Sequence, residues 1–251
     1  MAEAAREYTA RDFVHPRFWP DWLALIVLRA VALLPLPLIW LLGAVLGEIL
    51  YYLMAGRRYV TLTNIRACFP QQSRAQQQRL ARAHFRAFTQ AALATPIAWW
   101  GSAKRLKRLV RMPGKQHFDH ALAAHQPVIL LVAHFVAFDA ACMALTPDYS
   151  LIGLYKRPKN IFFDYLVRAR RRRFGGLLVE QREGIKPVIR GIKKGRALLY
   201  LSDQDQGRHG AVFAPFFGVP AATLTALGRL AQLTQALVIP CFAKQLAWGR
   251  G

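Results

Sequence analysis

The stretch Pro127–Asp139, PVILLVAHFVAFD, constrains the fold of this chain more than any other. Val128–Ala133 is an unbroken apolar run of six residues, rich in β-branched side chains and bounded by Pro127, which is the pattern of a buried strand. His134 stands where that strand ends. Asp139 follows five positions later, in a segment that continues helically through Leu145. Five helical residues turn through about 500°, so the two side chains meet only if His134 sits on the strand-to-helix turn and Asp139 lies in the first turns beyond it. A carboxylate there is favoured by the helix dipole and can hold one imidazole nitrogen while the other faces a substrate hydroxyl. The same spacing also suits a core histidine bonded to a capping aspartate, and spacing alone leaves both readings open.

Charge narrows the class of partner. The 251 residues carry 35 Lys and Arg against 13 Asp and Glu, a net charge of +22, which implies nucleic acid, anionic lipid or a phosphorylated substrate. Hydrophobic residues make up 54% of the chain, and that combination turns the reading toward a membrane surface and away from nucleic acid. Cys68, Cys142 and Cys241 are far apart and odd in number, as in a protein from a reducing compartment. His117 and His120 have no third ligand spaced to complete a metal site, so no metal or cofactor is expected. The chain contains neither G-x-x-x-x-G-K-[ST] nor G-x-S-x-G, which disfavours phosphate-loop NTPases and serine hydrolases.

Taken in order, the chain divides into an N-terminal segment, 1–58, and a larger unit, 59–251. Leu23–Leu46 is a run of 24 residues whose only charge is Arg29, long enough to cross a bilayer and interrupted by Pro35 and Pro37. It predicts a kinked transmembrane anchor, with a pair of short interfacial helices as the other reading. Arg57 and Arg58 follow, which puts the rest of the chain on the cytoplasmic side by the positive-inside rule. Ser73 and Gln76 form a capping box that opens a helix over 71–100, with Pro96 ending or kinking it. Further strands are expected at Ser150–Leu154, Leu177–Glu180, Ala197–Leu201 and Leu237–Phe242. Helices are expected at Ile185–Lys194 and Ala222–Thr234, with Phe213–Pro220 as an aromatic loop. Strands alternating with helices make an α/β fold. Between Lys156 and Arg196 stand 14 Lys or Arg and 3 acids, which suits either an anion site or a lipid-facing patch. Ser202–Gly207 follows a strand, where open α/β sheets place ligand groups.

These blocks together resemble the late acyltransferases of lipid A biosynthesis, the lauroyl/myristoyl branch of the lysophospholipid acyltransferase superfamily. The resemblance runs from about Phe18 to Phe242 through HPRFWPDWLAL, NIRACFP, the Trp99-Trp100 pair, the H-x4-D of HFVAFD, YKRPKN, SDQDQG and APFFGVPAATLTALGRLAQLT. It implies a mixed sheet flanked by helices with an N-terminal membrane anchor. It also implies transfer of an acyl chain from acyl carrier protein to a hydroxyacyl chain of a phosphorylated lipid A precursor, at the cytoplasmic face of the inner membrane. By the same resemblance His134 is the general base and Asp139 orients and polarises it. Arg157, Asn160 and Arg182 meet the anionic acceptor, and Asp203, Gln204, Asp205 and Gly207 line the same cleft. Carrier protein, lipid A precursor and anionic membrane lipids are the partners implied. Family members often carry Glu where this chain has Asp139, and they continue well past the strand ending at Phe242, so the ending AKQLAWGRG is read as truncated. Two rival readings are an acyltransferase of the same architecture with another polar lipid acceptor, and a non-catalytic polybasic membrane-binding protein.

Overall fold

A computed structural model of the protein describes residues 8–204, 211–246 and 248. Its centre is a sheet of five parallel strands, β1 (Val128–Val132), β2 (Leu151–Tyr155), β3 (Leu177–Glu180), β4 (Ala197–Leu201) and a last strand, Leu237–Cys241. A separate antiparallel pair, β5 (Ala211–Phe216) and β6 (Val219–Leu224), precedes that last strand, which is therefore β7. The order across the sheet is β3-β2-β4-β1-β7. The expected α/β class holds, with antiparallel pairing confined to the hairpin among the described residues.

Alternation along the strands sends side chains to both faces, and both are covered. Val128, Leu130, Val132, Leu151 and Leu199 pack with Phe118 of α6 (Lys115–Ala123) and Cys142 of α7 (Phe138–Leu145). Ile129, Ile152, Leu198 and Tyr200 pack on the other side. Their partners there are Val188 and Ile192 of α9 (Lys186–Lys193) and Leu230 of α10 (Ala226–Thr234). A third core cluster joins Ala98 and Trp99 of α4 (Arg74–Trp100) to Leu106 of α5 (Ala103–Leu109) and to Leu166 and Val167 of α8 (Ile161–Arg172).

Two expectations are corrected here. Phe213–Pro220 is not an aromatic loop but the turn end of the β5–β6 hairpin, closed at Phe217 and Gly218, whose φ angles of 52° and 77° give the left-handed turn that matches strand twist. The helix placed at Ala222 starts at Ala226, because Ala222–Leu224 pair with Ala211–Phe213. The helix expected over 71–100 is α4, which runs through Pro96 to Trp100 and buries that proline. The capping box at Ser73 is present, the Ser73 backbone N–H donating to Gln76 Oε1 at 2.7 Å.

The apolar run 23–46 is divided. α1 (Trp19–Val31) and α2 (Leu36–Leu53) are separated by a turn ending at Pro35, and α3 (Ala55–Cys68) follows α2 almost directly. Among the described residues only α2 is long and apolar enough to cross a membrane by length and composition, with a mean hydropathy of 1.8. It packs along α4 through a stripe of Ile39, Gly43, Gly47 and Tyr51. The two glycines let the backbones touch. A Cβ on Gly43 would lie 2.6 Å from Gln90 Cα, and one on Gly47 2.6 Å from Arg86 Cα. Thr89 Oγ1 donates to the Gly43 carbonyl at 2.5 Å, and Gln90 Nε2 donates to the Trp40 carbonyl at 3.1 Å. Gly47→Val should therefore force the two helices apart and lower stability by about 1–3 kcal/mol. Gly56→Ala, in the first turn of α3 where a Cβ meets nothing within 4 Å, should leave the denaturation midpoint unchanged or raise it slightly, since alanine favours a helix over glycine.

Candidate active site

Parallel pairing brings the ends of neighbouring strands to one edge of the sheet. β1 and β4 pair with Val132 opposite Leu201, and the same offset carried two residues further sets His134 opposite Asp203. The Asp203 carboxylate takes both groups that His134 turns toward it. Oδ2 accepts the His134 backbone N–H at 2.7 Å, and Oδ1 lies 2.7 Å from the ring Nδ1. Burial works against ionisation of Asp203, but the backbone N–H, the ring and the charge of His134 outweigh it and hold the carboxyl below its ordinary pKa. An ionised carboxylate only accepts hydrogen bonds, so it selects the imidazole tautomer with its proton on Nδ1. Nε2 then carries the free lone pair. The ring is half-exposed and faces outward from the sheet edge, with Phe138 6.0 Å away between centroids.

Asp139 does not hold the imidazole. α7 begins at Phe138, so Asp139 lies in its first turn, and its Oδ1 accepts from Arg171 Nη2 of α8 at 2.6 Å. The pair ties the start of α7, and with it the turn carrying His134, to α8. It also places a carboxylate where the helix dipole favours one. Arg171 is a participant that sequence reading passed over as one of a basic run.

The residues that follow the turn line an apolar cavity of about 720 Å³, Val136, Ala137 and Ala141 forming its wall with Leu106, Phe118 and Trp40. Its size falls within the range of small-molecule sites. Cys142 lines it, and burial first, then the charge of Asp139, pushes that thiol far up, which makes it a poor nucleophile. Burial likewise raises the Cys241 thiol.

The other expected residues distribute as follows. Arg157 and Arg182 share a basic cavity of about 270 Å³ at the ends of β2 and β3, with Lys156, Lys159 and Glu180. Arg157 Nε is paired at 3.0 Å with Asp164, which is fully buried. Asn160 is not turned to that cavity. Its Oδ1 caps α8 by accepting Phe163 N–H at 2.9 Å, and its Nδ2 donates to Asp21 Oδ1 at 2.9 Å. Gln204 is exposed on the bend after Asp203, while Asp205 and Gly207 lie outside the described residues.

Asp203→Asn must keep an oxygen on the His134 backbone N–H, which turns the amide NH2 toward Nδ1 and shifts the ring proton to Nε2. Nitrogen-15 NMR of labelled histidine should report that exchange of tautomer. Asp139→Asn should leave the tautomer as it is and cost roughly 1–3 kcal/mol of stability through the weakened Arg171 contact.

The chain is similar to known proteins over most of its length. The family model for the bacterial lipid A biosynthesis acyltransferase matches residues 7–246. The chain is 28% identical over 239 residues to the lipid A biosynthesis lauroyltransferase of Escherichia coli K12, covering 95% of this chain and 78% of that protein. It is 33% identical over 234 residues to the lipid A biosynthesis myristoyltransferase of the same organism, covering 92% and 72%. A lipid A biosynthesis acyltransferase of Haemophilus influenzae is 31% identical over 234 residues, covering 93% and 74%. The chain belongs to the bacterial lipid A biosynthesis acyltransferase family.

Proposed function

We propose that this acyltransferase moves a fatty acyl chain from acyl carrier protein to the hydroxyl of a hydroxyacyl chain on a phosphorylated lipid A precursor, at the cytoplasmic face of the inner membrane. The observation that carries the reading is the His134–Asp203 pair, its free Nε2 beside the turn that walls an apolar cavity of about 720 Å³. His134 Nε2 takes the proton as the acceptor hydroxyl attacks the thioester carbonyl. The tetrahedral intermediate gains from backbone N–H groups and the positive end of α7 beside the turn. It then collapses to the ester, and the departing thiolate takes the proton back from the imidazolium. Asp203 holds the ring and supports its charge. Asp139 acts on the same turn through Arg171. Direct transfer fits better than a cysteinyl acyl-enzyme, because burial suppresses the Cys142 thiolate.

The two cavities divide the substrates by chemistry. The apolar one suits the hydrocarbon. The basic one, with Arg157 and Arg182, suits a phosphate, which a guanidinium can grip with two parallel hydrogen bonds. The high positive charge further favours the acidic carrier protein and an anionic membrane.

Membranes containing the protein, given labelled tetra-acylated lipid A precursor and carrier protein loaded with a series of acyl chains, should form a product one acyl chain heavier. His134→Ala should reduce that transfer by roughly 10³-fold, with Asp203→Asn close behind. A folded wild type that transfers nothing under these conditions would overturn the assignment. Ala141→Phe, which fills part of the apolar cavity, should shift the accepted acyl donor to shorter chains, read by mass spectrometry of the product.

A further inference from the structure

A helix that crosses a bilayer once puts the chain before it and the chain after it on opposite sides. Here the segments flanking α2 are packed together. Before α2, Phe13 is fully buried and its ring stands 5.3 Å from that of Phe162 and 5.2 Å from that of Tyr165, both on α8. The Trp22 ring lies 4.9 Å from Phe162, and Asp21 accepts a hydrogen bond from Asn160. Closer still to α2, the Ala32 carbonyl accepts from Arg105 Nη1 of α5 at 3.2 Å. α5 and α8 both follow α2 in the chain and belong to the unit that bears the site. The chain before α2 and the unit that bears the site are therefore on one side of any bilayer, and α2 could cross only if a later helix crosses back.

A return crossing would have to use α3 or α4. α3 carries Arg57, Arg58 and Arg66, and the part of α4 that lies along α2 carries Arg79, Arg82 and Arg86. Charged groups at those densities are not tolerated in the hydrocarbon interior. Arg82 is bound to Glu48 of α2 itself, so the charges cannot leave without breaking the α2–α4 contact.

The outer face of α2 is nevertheless strongly apolar. Leu41, Val45 and Ile49 recur at helical spacing and are 59%, 52% and 47% exposed, opposite the glycine stripe held by α4. Leu23, Ile26 and Val27 extend the exposed apolar surface on α1. Exposed Arg57 and Arg79 stand on the adjoining helices. This combination of an apolar helix face with flanking cations is that of a segment seated in one leaflet.

We propose that α2 does not span the membrane but lies within the near leaflet of an anionic bilayer, its Leu41–Val45–Ile49 face in the hydrocarbon, with the chain on both sides of it facing the same compartment. This replaces the transmembrane anchor expected from the run 23–46, and it also removes the basis for orienting the chain by Arg57 and Arg58. It rests on the membrane location proposed above but not on acyl transfer, so either can fail alone.

Gly56 at the α2–α3 junction has open space around its Cα, so Gly56→Cys is a benign reporter there, and Lys193→Cys on the exposed face of α9 reports the site-bearing unit. In a Cys68→Ser background, the parent lacking either reporter serving as blank, a membrane-impermeant maleimide is applied to spheroplasts and to inverted inner-membrane vesicles. Both cysteines should react in the same preparation and be protected in the other. Reaction in opposite preparations would overturn the proposal. Independently, purified protein should float with phosphatidylglycerol-containing vesicles. Leu41→Glu with Val45→Glu, at exposed positions that leave the thermal midpoint unchanged, should weaken that partition by about tenfold or more. Undiminished flotation, or a homodimer that the two substitutions dissociate, would overturn it by showing that the face meets something other than lipid.

Discussion

The site depends on the register of two parallel strands. Because β1 and β4 run the same way and Val132 faces Leu201, the first residues past both strands emerge side by side, and His134 meets Asp203 without any long loop to bring them together. An antiparallel pairing would have sent these two ends to opposite edges of the sheet. The double contact, ring nitrogen and backbone N–H on one carboxylate, fixes the direction of the imidazole as well as its tautomer. The base role proposed for His134 rests on that, since an imidazole free to rotate or to carry its proton on Nε2 has no lone pair directed at a hydroxyl.

The sheet was legible in the chain because its inner strands are short and buried on both faces, which leaves a continuous apolar run between polar or turn residues. Val128–Val132, Leu177–Glu180 and Ala197–Leu201 fall where those runs lie. The hairpin was not legible. Phe213, Phe216 and Phe217 are exposed, so no alternation between core and solvent marks β5 and β6, and the deciding signal is the left-handed pair at Phe217 and Gly218. The partner of His134 was hidden for a different reason. H-x4-D places a carboxylate nearby in sequence, whereas contact between residues 69 positions apart is a property of strand order, which no local pattern contains. Asp139 and Arg171 show the converse, a local motif residue whose partner comes from α8.

The division of the run 23–46 was visible in Pro35, but the length and apolarity of α2 pointed to a span while its partners point elsewhere. Hydropathy measures only what a helix carries. It does not register that Gly43 and Gly47 hold α2 against a helix bearing Arg82 and Arg86, nor that Phe13 is locked into α8. The topology proposed above rests on those contacts, because a segment cannot be on one side of a membrane and its packing partner on the other.

The excess of positive charge then takes on a shape. Arg157 and Arg182 gather at the ends of β2 and β3, two and three strands from β1 in the same sheet edge. Strands lie about 4.8 Å apart, so the basic cavity begins roughly 10 Å from His134. An anionic group held there keeps the rest of its molecule within reach of Nε2, and the apolar cavity opens beside the turn of the same histidine. A lipid whose charge and chains are separated by about that distance meets both at once, with its headgroup outside the hydrocarbon and its hydroxyl at the base. A soluble hydroxylated molecule would satisfy one cavity and leave the other filled with water. Under the proposed reaction, a preference for an amphiphile would follow from the same parallel edge that joins His134 to Asp203.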